Sequence, residues 1–237
     1  MTTLILVHGA CHGGWCWERV TPSLEAEGLR VLAPDLPEWR PGARDPIGFW
    51  GDFVADLART EARNDRVVLC GHSRGGVVIS AAAEAAPEAV SGLIYLAASL
   101  LPRGQTLTGA WRAYTEAAAE WVAPEPDGTS FRITPGCYHR LFCPDSDAAT
   151  AAQAEVRLRT EPFAAFTTPL RITPERFGGI PRAYVETSRD LIIPPDFQRS
   201  MRAALACDPV VALDADHSPF LAIPDRLAEV LIELSRR

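Results

Sequence analysis

The segment Val67-Val68-Leu69-Cys70-Gly71-His72-Ser73-Arg74-Gly75 constrains this chain more than any other. An apolar run leads into a glycine, Ser73 follows two residues on, a second glycine two beyond that, and then Val77-Val78-Ile79-Ser80-Ala81-Ala82-Ala83. The pattern reads as strand, sharp turn and helix, with Ser73 at the apex. Glycine is required on both sides because side chains there would collide with the neighbouring strand and helix. G-x-S-x-G alone occurs by chance in many chains. Its setting between a buried strand and a small-residue helix marks Ser73 as a candidate nucleophile rather than a surface serine in a tight turn.

A serine hydroxyl needs a base, an acid to orient the base, and donors for a developing oxyanion. A nucleophile elbow of this kind is followed in chain order by the acid and then the histidine. Residues 181–187 read as a strand with Asp190 just past its end, and residues 210–213 as the next strand, followed by Asp214-Ala215-Asp216-His217. Asp190 and His217 therefore lie on loops after strands, at the sheet edge where Ser73 emerges. Of the other histidines, His72 adjoins the serine and reads as a support for the elbow. His8 and His12 lie in the first loop, and His139 falls in a middle insertion where it could line a pocket. Glu186 lies inside a strand, Asp196 at a helix start, and Asp214 and Asp216 are too near His217 to pass behind its ring.

One oxyanion donor is expected from the amide of Arg74, the residue after the nucleophile. The other is expected from the glycine-rich loop Val7-His8-Gly9-Ala10-Cys11-His12-Gly13-Gly14, at Ala10. A phosphate-binding reading of this loop is weaker, since G-x-G-x-x-G and a P-loop lysine are both absent.

Strands and helices alternate: strands at 3–7, 30–33 and 92–97, helices at 17–28, 47–63, 195–206 and 219–235. Such alternation with near-continuous apolar strands predicts an α/β fold, a mostly parallel sheet covered by helices on both faces. The 237 residues suit a single domain spanning 1–237. Residues 102–177 break the pattern and are too long for a simple connection. Their alanine-rich stretches, 115–122 and 147–159, predict a small helical lid inserted after the strand ending near Ala97. Trp111, Trp121, Phe131, Tyr138, His139, Phe142, Phe163 and Phe166 fall there, and either wall an apolar pocket over Ser73 or form the core of the lid itself. Trp15 is a further candidate wall, and the loop 35–42 with Trp39 could shape the entrance.

Composition excludes several classes of partner. A hydrophobic content of 47% fits a globular enzyme rather than a disordered chain. A net charge of −7 argues against nucleic acid or an anionic membrane surface. No apolar run reaches the ~18 to 20 residues of a membrane span, and no signal peptide is evident. The six cysteines show no CxxC spacing, so no metal or redox motif is expected, and a cytoplasmic setting with reduced thiols is.

His8-Gly9-Ala10-Cys11-His12-Gly13-Gly14-Trp15, Gly71-His72-Ser73, Thr187-Ser188-Arg189-Asp190 with Pro195-Asp196-Phe197-Gln198, Asp216-His217, and Glu175-Arg176-Phe177-Gly178 together resemble the plant methylesterase and hydroxynitrile lyase family of α/β-hydrolases. The similarity runs from about residue 3 to 235. It implies an α/β-hydrolase fold, a commonly dimeric protein, and cofactor-free cleavage of small carboxylic esters with apolar or aromatic groups. By position, Ser73, Asp190 and His217 match the triad, and Ala10 with Arg74 the oxyanion donors. Gly9, His12, Trp15, Trp111, Trp121, Tyr138, His139, Phe142 and Ser218 are the candidate pocket residues. Three positions depart from the family. The lyase members carry threonine at the position of Gly9 and lysine at that of Ser218, and this chain contains no lysine at all. That favours an esterase-like site over cyanohydrin cleavage, with lyase or cyclase chemistry on the same triad, or a catalytically silent sensor, as the alternatives. The third departure is Arg74, usually apolar in the family. Its side chain is expected at the surface, in an ion pair, or against an anionic substrate group.

Overall fold

In a computed structural model, described over residues 1–42, 45–112 and 118–237, β1 (Thr2–Val7), β2 (Arg30–Leu32), β3 (Arg66–His72), β4 (Gly92–Leu96), β8 (Arg182–Thr187) and β9 (Val210–Leu213) form one six-stranded sheet. Its order is β2-β1-β3-β4-β8-β9, and all five pairings are parallel. The apolar runs explain this: Leu4 to Val7, Val67 to Cys70 and Leu93 to Leu96 are buried on both faces, as a sheet covered by helices on two sides demands. The expectation of an α/β fold with a parallel sheet holds. The chain direction across the sheet reverses between β1 and β3, and ligand crevices of such sheets open at the strand ends beside that reversal.

Two expected helices are broken, each for a local reason. Residues 14–17 form a 3₁₀ turn and the helix proper is Thr21–Ala26, with Pro22 in its first turn. The C-terminal helix divides into Pro219–Ala222 and Pro224–Ser235, because Ile223, preceding a proline, leaves the helical region (φ −137°, ψ 55°).

The insertion is not purely helical, which corrects the expectation. β5 (Val122–Pro124), β6 (Ser130–Ile133) and β7 (Glu161–Pro162) make a small antiparallel sheet, in the order β5-β6-β7. Helices Leu107–Trp111, Ala118–Trp121, Tyr138–Phe142, Ala148–Glu155 and Phe163–Thr167 surround it. The helix expected at 115–122 is described only from Ala118 on; residues 115–117 lie outside the described residues. Trp111, Trp121, Phe131, Phe163 and Phe166 pack on one another at ring-centroid distances of 5.0 to 6.1 Å and form a core for the insertion itself. All six cysteines are free thiols.

Candidate active site

Ser73 caps the end of β3 with φ +53°, a left-handed conformation that side-chain-bearing residues rarely adopt. The flanking glycines show why it is tolerated. A Cβ on Gly71 would lie 2.6 Å from the Gly75 carbonyl oxygen, and one on Gly75 would lie 2.6 Å from that of Val7. Gly76, which sequence reasoning did not single out, is as tight: its Cβ would meet the Ser99 carbonyl oxygen at 2.5 Å. The helix Gly75–Ala85 can therefore start directly beneath the serine and pack closely on the strands.

The three triad candidates converge. His217 Nε2 lies 3.0 Å from Ser73 Oγ, and His217 Nδ1 lies 2.7 Å from Asp190 Oδ2. Their side chains are nearly inaccessible, with Ser73 5% and His217 1% exposed. The proposed acid is itself held on both oxygens. Oδ1 accepts from the amides of Ile192 and Ile193, both at 2.8 Å, and Oδ2 also accepts from Thr187 Oγ1 at 3.0 Å. Gln198 ties the Thr187 and Ile193 carbonyls together through Nε2. With His217 Nδ1, four hydrogen-bonding groups therefore fix the orientation of this buried carboxylate.

His217 has the longest way to come. Its strand β9 stands three places from β3, about 14 Å at the usual strand spacing, so its loop must run back over the strand ends. Two contacts hold it there. His72 Nε2–H donates to the His217 carbonyl oxygen at 2.8 Å, so its ring holds the histidine loop as well as adjoining the elbow it was expected to support. Asp216, buried, accepts from the Asp145 amide at 2.8 Å and from the Ser218 amide at 2.8 Å, while Asp145 Oδ2 accepts from the Asp216 amide at 2.9 Å. This reciprocal link between the insertion and the histidine loop was not legible in the sequence, because Asp145 and Asp216 are far apart along it. Burial pushes the Asp216 carboxyl up.

The loop after β1 brings Gly9 and Ala10 beside the elbow. A Cβ on Gly9 would lie 2.9 Å from Ser73 Cβ and 2.9 Å from His72 Nδ1. Glycine here is a packing requirement, not merely a missing hydroxyl. His8 Nδ1–H donates to the Gly9 carbonyl (2.9 Å) and His12 Nδ1–H to the Ala10 carbonyl (2.7 Å), while Tyr138 Oη–H donates to His12 Nε2 (2.9 Å). Desolvation lowers His8 to about 3 and His12 to about 4, and pushes His72 down as well, so all three are neutral supports of the loops.

Arg74 resolves to a buried ion pair rather than a surface or substrate-facing cation. Its Nε lies 3.0 Å from Glu161 Oε1, with side-chain exposures of 1% and 5%, and its guanidinium stacks 4.5 Å above the Trp50 ring centroid. Glu161, in β7 of the insertion, escaped sequence reasoning altogether.

The candidate pocket residues separate into groups. Phe142 packs edge-on against the His217 ring at 5.7 Å and Tyr138 stacks on Phe142 at 5.5 Å, while Trp121 reaches Phe142 at 5.4 Å from the core of the insertion. Ser218 is buried next to His217. Three of the candidates make their contacts elsewhere. His139 turns its Nε2 to the Ser146 carbonyl inside the insertion, at 2.9 Å. Trp15 stacks on His12 at 5.4 Å, lies under Arg157, and lines an open surface depression with Glu18, Asp35 and Arg159. Trp111 belongs to the aromatic core of the insertion. The 35–42 loop contributes Leu36, Trp39 and Arg40 to a cavity of about 440 Å³ that also meets Trp50, Arg74 and Glu161. Among the described residues no group of three or more His, Cys, Asp or Glu side chains is placed to hold a metal, and no helix is long and apolar enough to cross a membrane.

Comparison with known proteins agrees with this architecture. The model of an alpha/beta hydrolase family matches residues 4–230. A pyrethroid hydrolase of Sphingobium wenxiniae is 35% identical, over 99% of this chain and 88% of its own length. Salicylic acid-binding protein 2 of Nicotiana tabacum is 29% identical, over 98% and 96%. Among solved structures, a pyrethroid hydrolase from Sphingobium faniae aligns with a TM-score of 0.85 at 32% identity, over 99% of this chain and 97% of that one. Polyneuridine aldehyde esterase aligns with a TM-score of 0.84 at 25% identity, over 99% of both chains. With its elbow and strand order, the chain belongs to the α/β-hydrolase family, on its methylesterase-like branch.

Proposed function

We propose that the protein is a serine carboxylesterase that hydrolyses a small ester bearing an apolar or aromatic group. The observation that carries this reading is the continuous hydrogen-bonded line from Ser73 Oγ through His217 to Asp190, with the serine held in a left-handed turn. His217 Nε2 removes the hydroxyl proton as Ser73 attacks the ester carbonyl. Asp190 holds the tautomer in which Nδ1 carries the other proton, and steadies the imidazolium that forms. The amides of Ala10 and Arg74 receive the oxyanion; removal of one such donor costs about 3 to 4 kcal/mol elsewhere. The imidazolium protonates the leaving alcohol, and water repeats the cycle on the acyl-enzyme.

The ring of Phe142 against His217, with Tyr138 stacked on it, supports an apolar substrate. The relatives named as pyrethroid hydrolase, methylesterase and polyneuridine aldehyde esterase support ester hydrolysis. The test is intact-protein mass spectrometry after brief exposure to p-nitrophenyl acetate and to methyl esters of aromatic acids. Turnover with a transient acyl adduct is expected in the wild type and neither in Ser73→Ala. A folded wild-type protein without adduct or hydrolysis would move the assignment to lyase or cyclase chemistry.

A further inference from the structure

Ala10 lies between two peptide units that are each tied to one half of the buried ion pair. The Gly9–Ala10 peptide carries that N–H on one side and the Gly9 carbonyl on the other. This carbonyl accepts from Arg74 Nη2 at 3.1 Å and from His8 Nδ1 at 2.9 Å. In the next unit, Ala10–Cys11, the carbonyl accepts from His12, and the Cys11 amide donates to Glu161 Oε2 at 3.0 Å. Cys11 has φ +61°, so the loop turns sharply at this point. Arg74 and Glu161 complete the frame with Nε–Oε1 at 3.0 Å and Nη2–Oε2 at 3.3 Å. The insertion docks on the same turn through its backbone, since the Arg159 amide donates to the Cys11 carbonyl at 2.8 Å.

We propose that Arg74 and Glu161 are positioning residues for the oxyanion site. In this reading their ion pair orients and polarises the Gly9–Ala10 peptide, and because Glu161 arrives on the insertion, the second oxyanion donor is in place only when the insertion is docked. The inference rests on the acyl-transfer reading above. Its physical basis is that a charged donor on a carbonyl strengthens the N–H of the same peptide as a donor, and strengthens it most where water is excluded. Arg74 thereby serves both halves of the site, by its own amide and, through its side chain, by the amide of Ala10. As a stability device a buried pair is weak, because the desolvation of two ions offsets their attraction. Its consequence therefore lies in the two hydrogen bonds it makes to the loop.

The experiment compares wild type, Ser73→Ala, Glu161→Gln and the double variant Arg74→Met/Glu161→Leu. The double variant leaves no unpaired buried charge and so guards against simple unfolding. The readouts are kcat and KM for p-nitrophenyl acetate, the affinity of an aryl trifluoromethyl ketone that forms an oxyanion adduct, and the melting temperature. For both variants of the pair, kcat is expected to fall roughly 10- to 100-fold with KM within about threefold, and ketone affinity to fall in step. A double variant with wild-type melting and still reduced kcat and ketone affinity supports positioning. One with wild-type kcat and ketone affinity overturns it and leaves the pair purely structural. Turnover that survives in Ser73→Ala would overturn the acyl-transfer reading, and the present inference with it.

Discussion

His72 Nε2 lies 2.8 Å from the carbonyl oxygen of His217, so the residue before the proposed nucleophile holds the backbone of the proposed base. The two rings stand 4.7 Å apart, and Phe220 packs edge-on against His72 at 5.0 Å. The elbow thus fixes both ends of the proposed proton transfer: Ser73 through its turn and His217 through the side chain of His72. His72→Phe keeps the ring and deletes the donor. It should destabilise the fold by about 1 to 3 kcal/mol, the usual cost of an unsatisfied buried carbonyl. It should also lower kcat by roughly tenfold, because His217 loses its tether. Unchanged kcat and melting temperature would show that the tether is dispensable.

Asp190→Asn is a sharper test of the tautomer. Oδ1 must remain an acceptor because the Ile192 and Ile193 amides both point at it. The new amide nitrogen is therefore forced into the place of Oδ2, facing His217 Nδ1. The ring then has to accept at Nδ1 and carry its proton at Nε2, where it cannot take the proton of Ser73. A loss on the order of 10⁴ in kcat with a nearly unchanged fold is expected. Steady-state kinetics with circular dichroism decides it, and a loss below tenfold would remove Asp190 from its proposed role.

The supporting histidines predict acid sensitivity. His8, at about 3, and His12, at about 4, lie below the ordinary value of 6.5, and His72 is displaced in the same direction, in each case chiefly by burial. The unfolded chain therefore binds protons that the folded chain refuses. The stability these groups contribute is whole above pH 6.5 and is lost as pH falls toward 4. At pH 5 the loss for His8 and for His12 is about 2 kcal/mol each. Glu161 and Asp216, both raised by burial, oppose this, since they withdraw stability as pH rises through their own raised values. The melting temperature should be flat near pH 7 to 8 and drop by several degrees at pH 5. A constant melting temperature down to pH 5 would contradict neutral, buried histidines.

The elbow, the parallel sheet and the strand-end positions of Ser73, Asp190 and His217 were legible because each rests on local pattern: apolar runs ending at glycine-flanked or acidic turns. The insertion was not. Its strands are three, four and two residues long, too short for alternation to register, and Trp111, Trp121, Phe131, Phe163 and Phe166 serve a separate core. Glu161 and Asp145 act through partners 87 and 71 positions away, a distance over which sequence pattern carries nothing. Arg74 could be recognised as unusual, yet its partner could not. The contacts of His139 with Ser146 and of Trp15 with His12 were hidden for the same reason: the sequence does not reveal which way a ring turns.

Gly9 separates the esterase reading from the lyase alternative by packing. A side chain there meets Ser73 Cβ and His72 Nδ1, both at 2.9 Å. Neither can yield easily. Ser73 is locked in the left-handed turn, and the His72 ring is tied to the His217 carbonyl and wedged against Phe220. Ordinary contact needs about 3.5 Å, so the loop must retreat by roughly half an ångström and carry the Ala10 amide with it. Gly9→Ala should therefore lower kcat for ester hydrolysis by roughly 10- to 100-fold with little change in KM, since the displaced group acts on the transition state. Gly9→Thr should lose more, because its branched side chain demands more room. Restoring the lyase-type threonine in this framework is thus expected to damage the site rather than convert it. Kinetics on p-nitrophenyl acetate with both variants tests this, and a Gly9→Ala enzyme with wild-type kcat would detach the second oxyanion donor from Ala10.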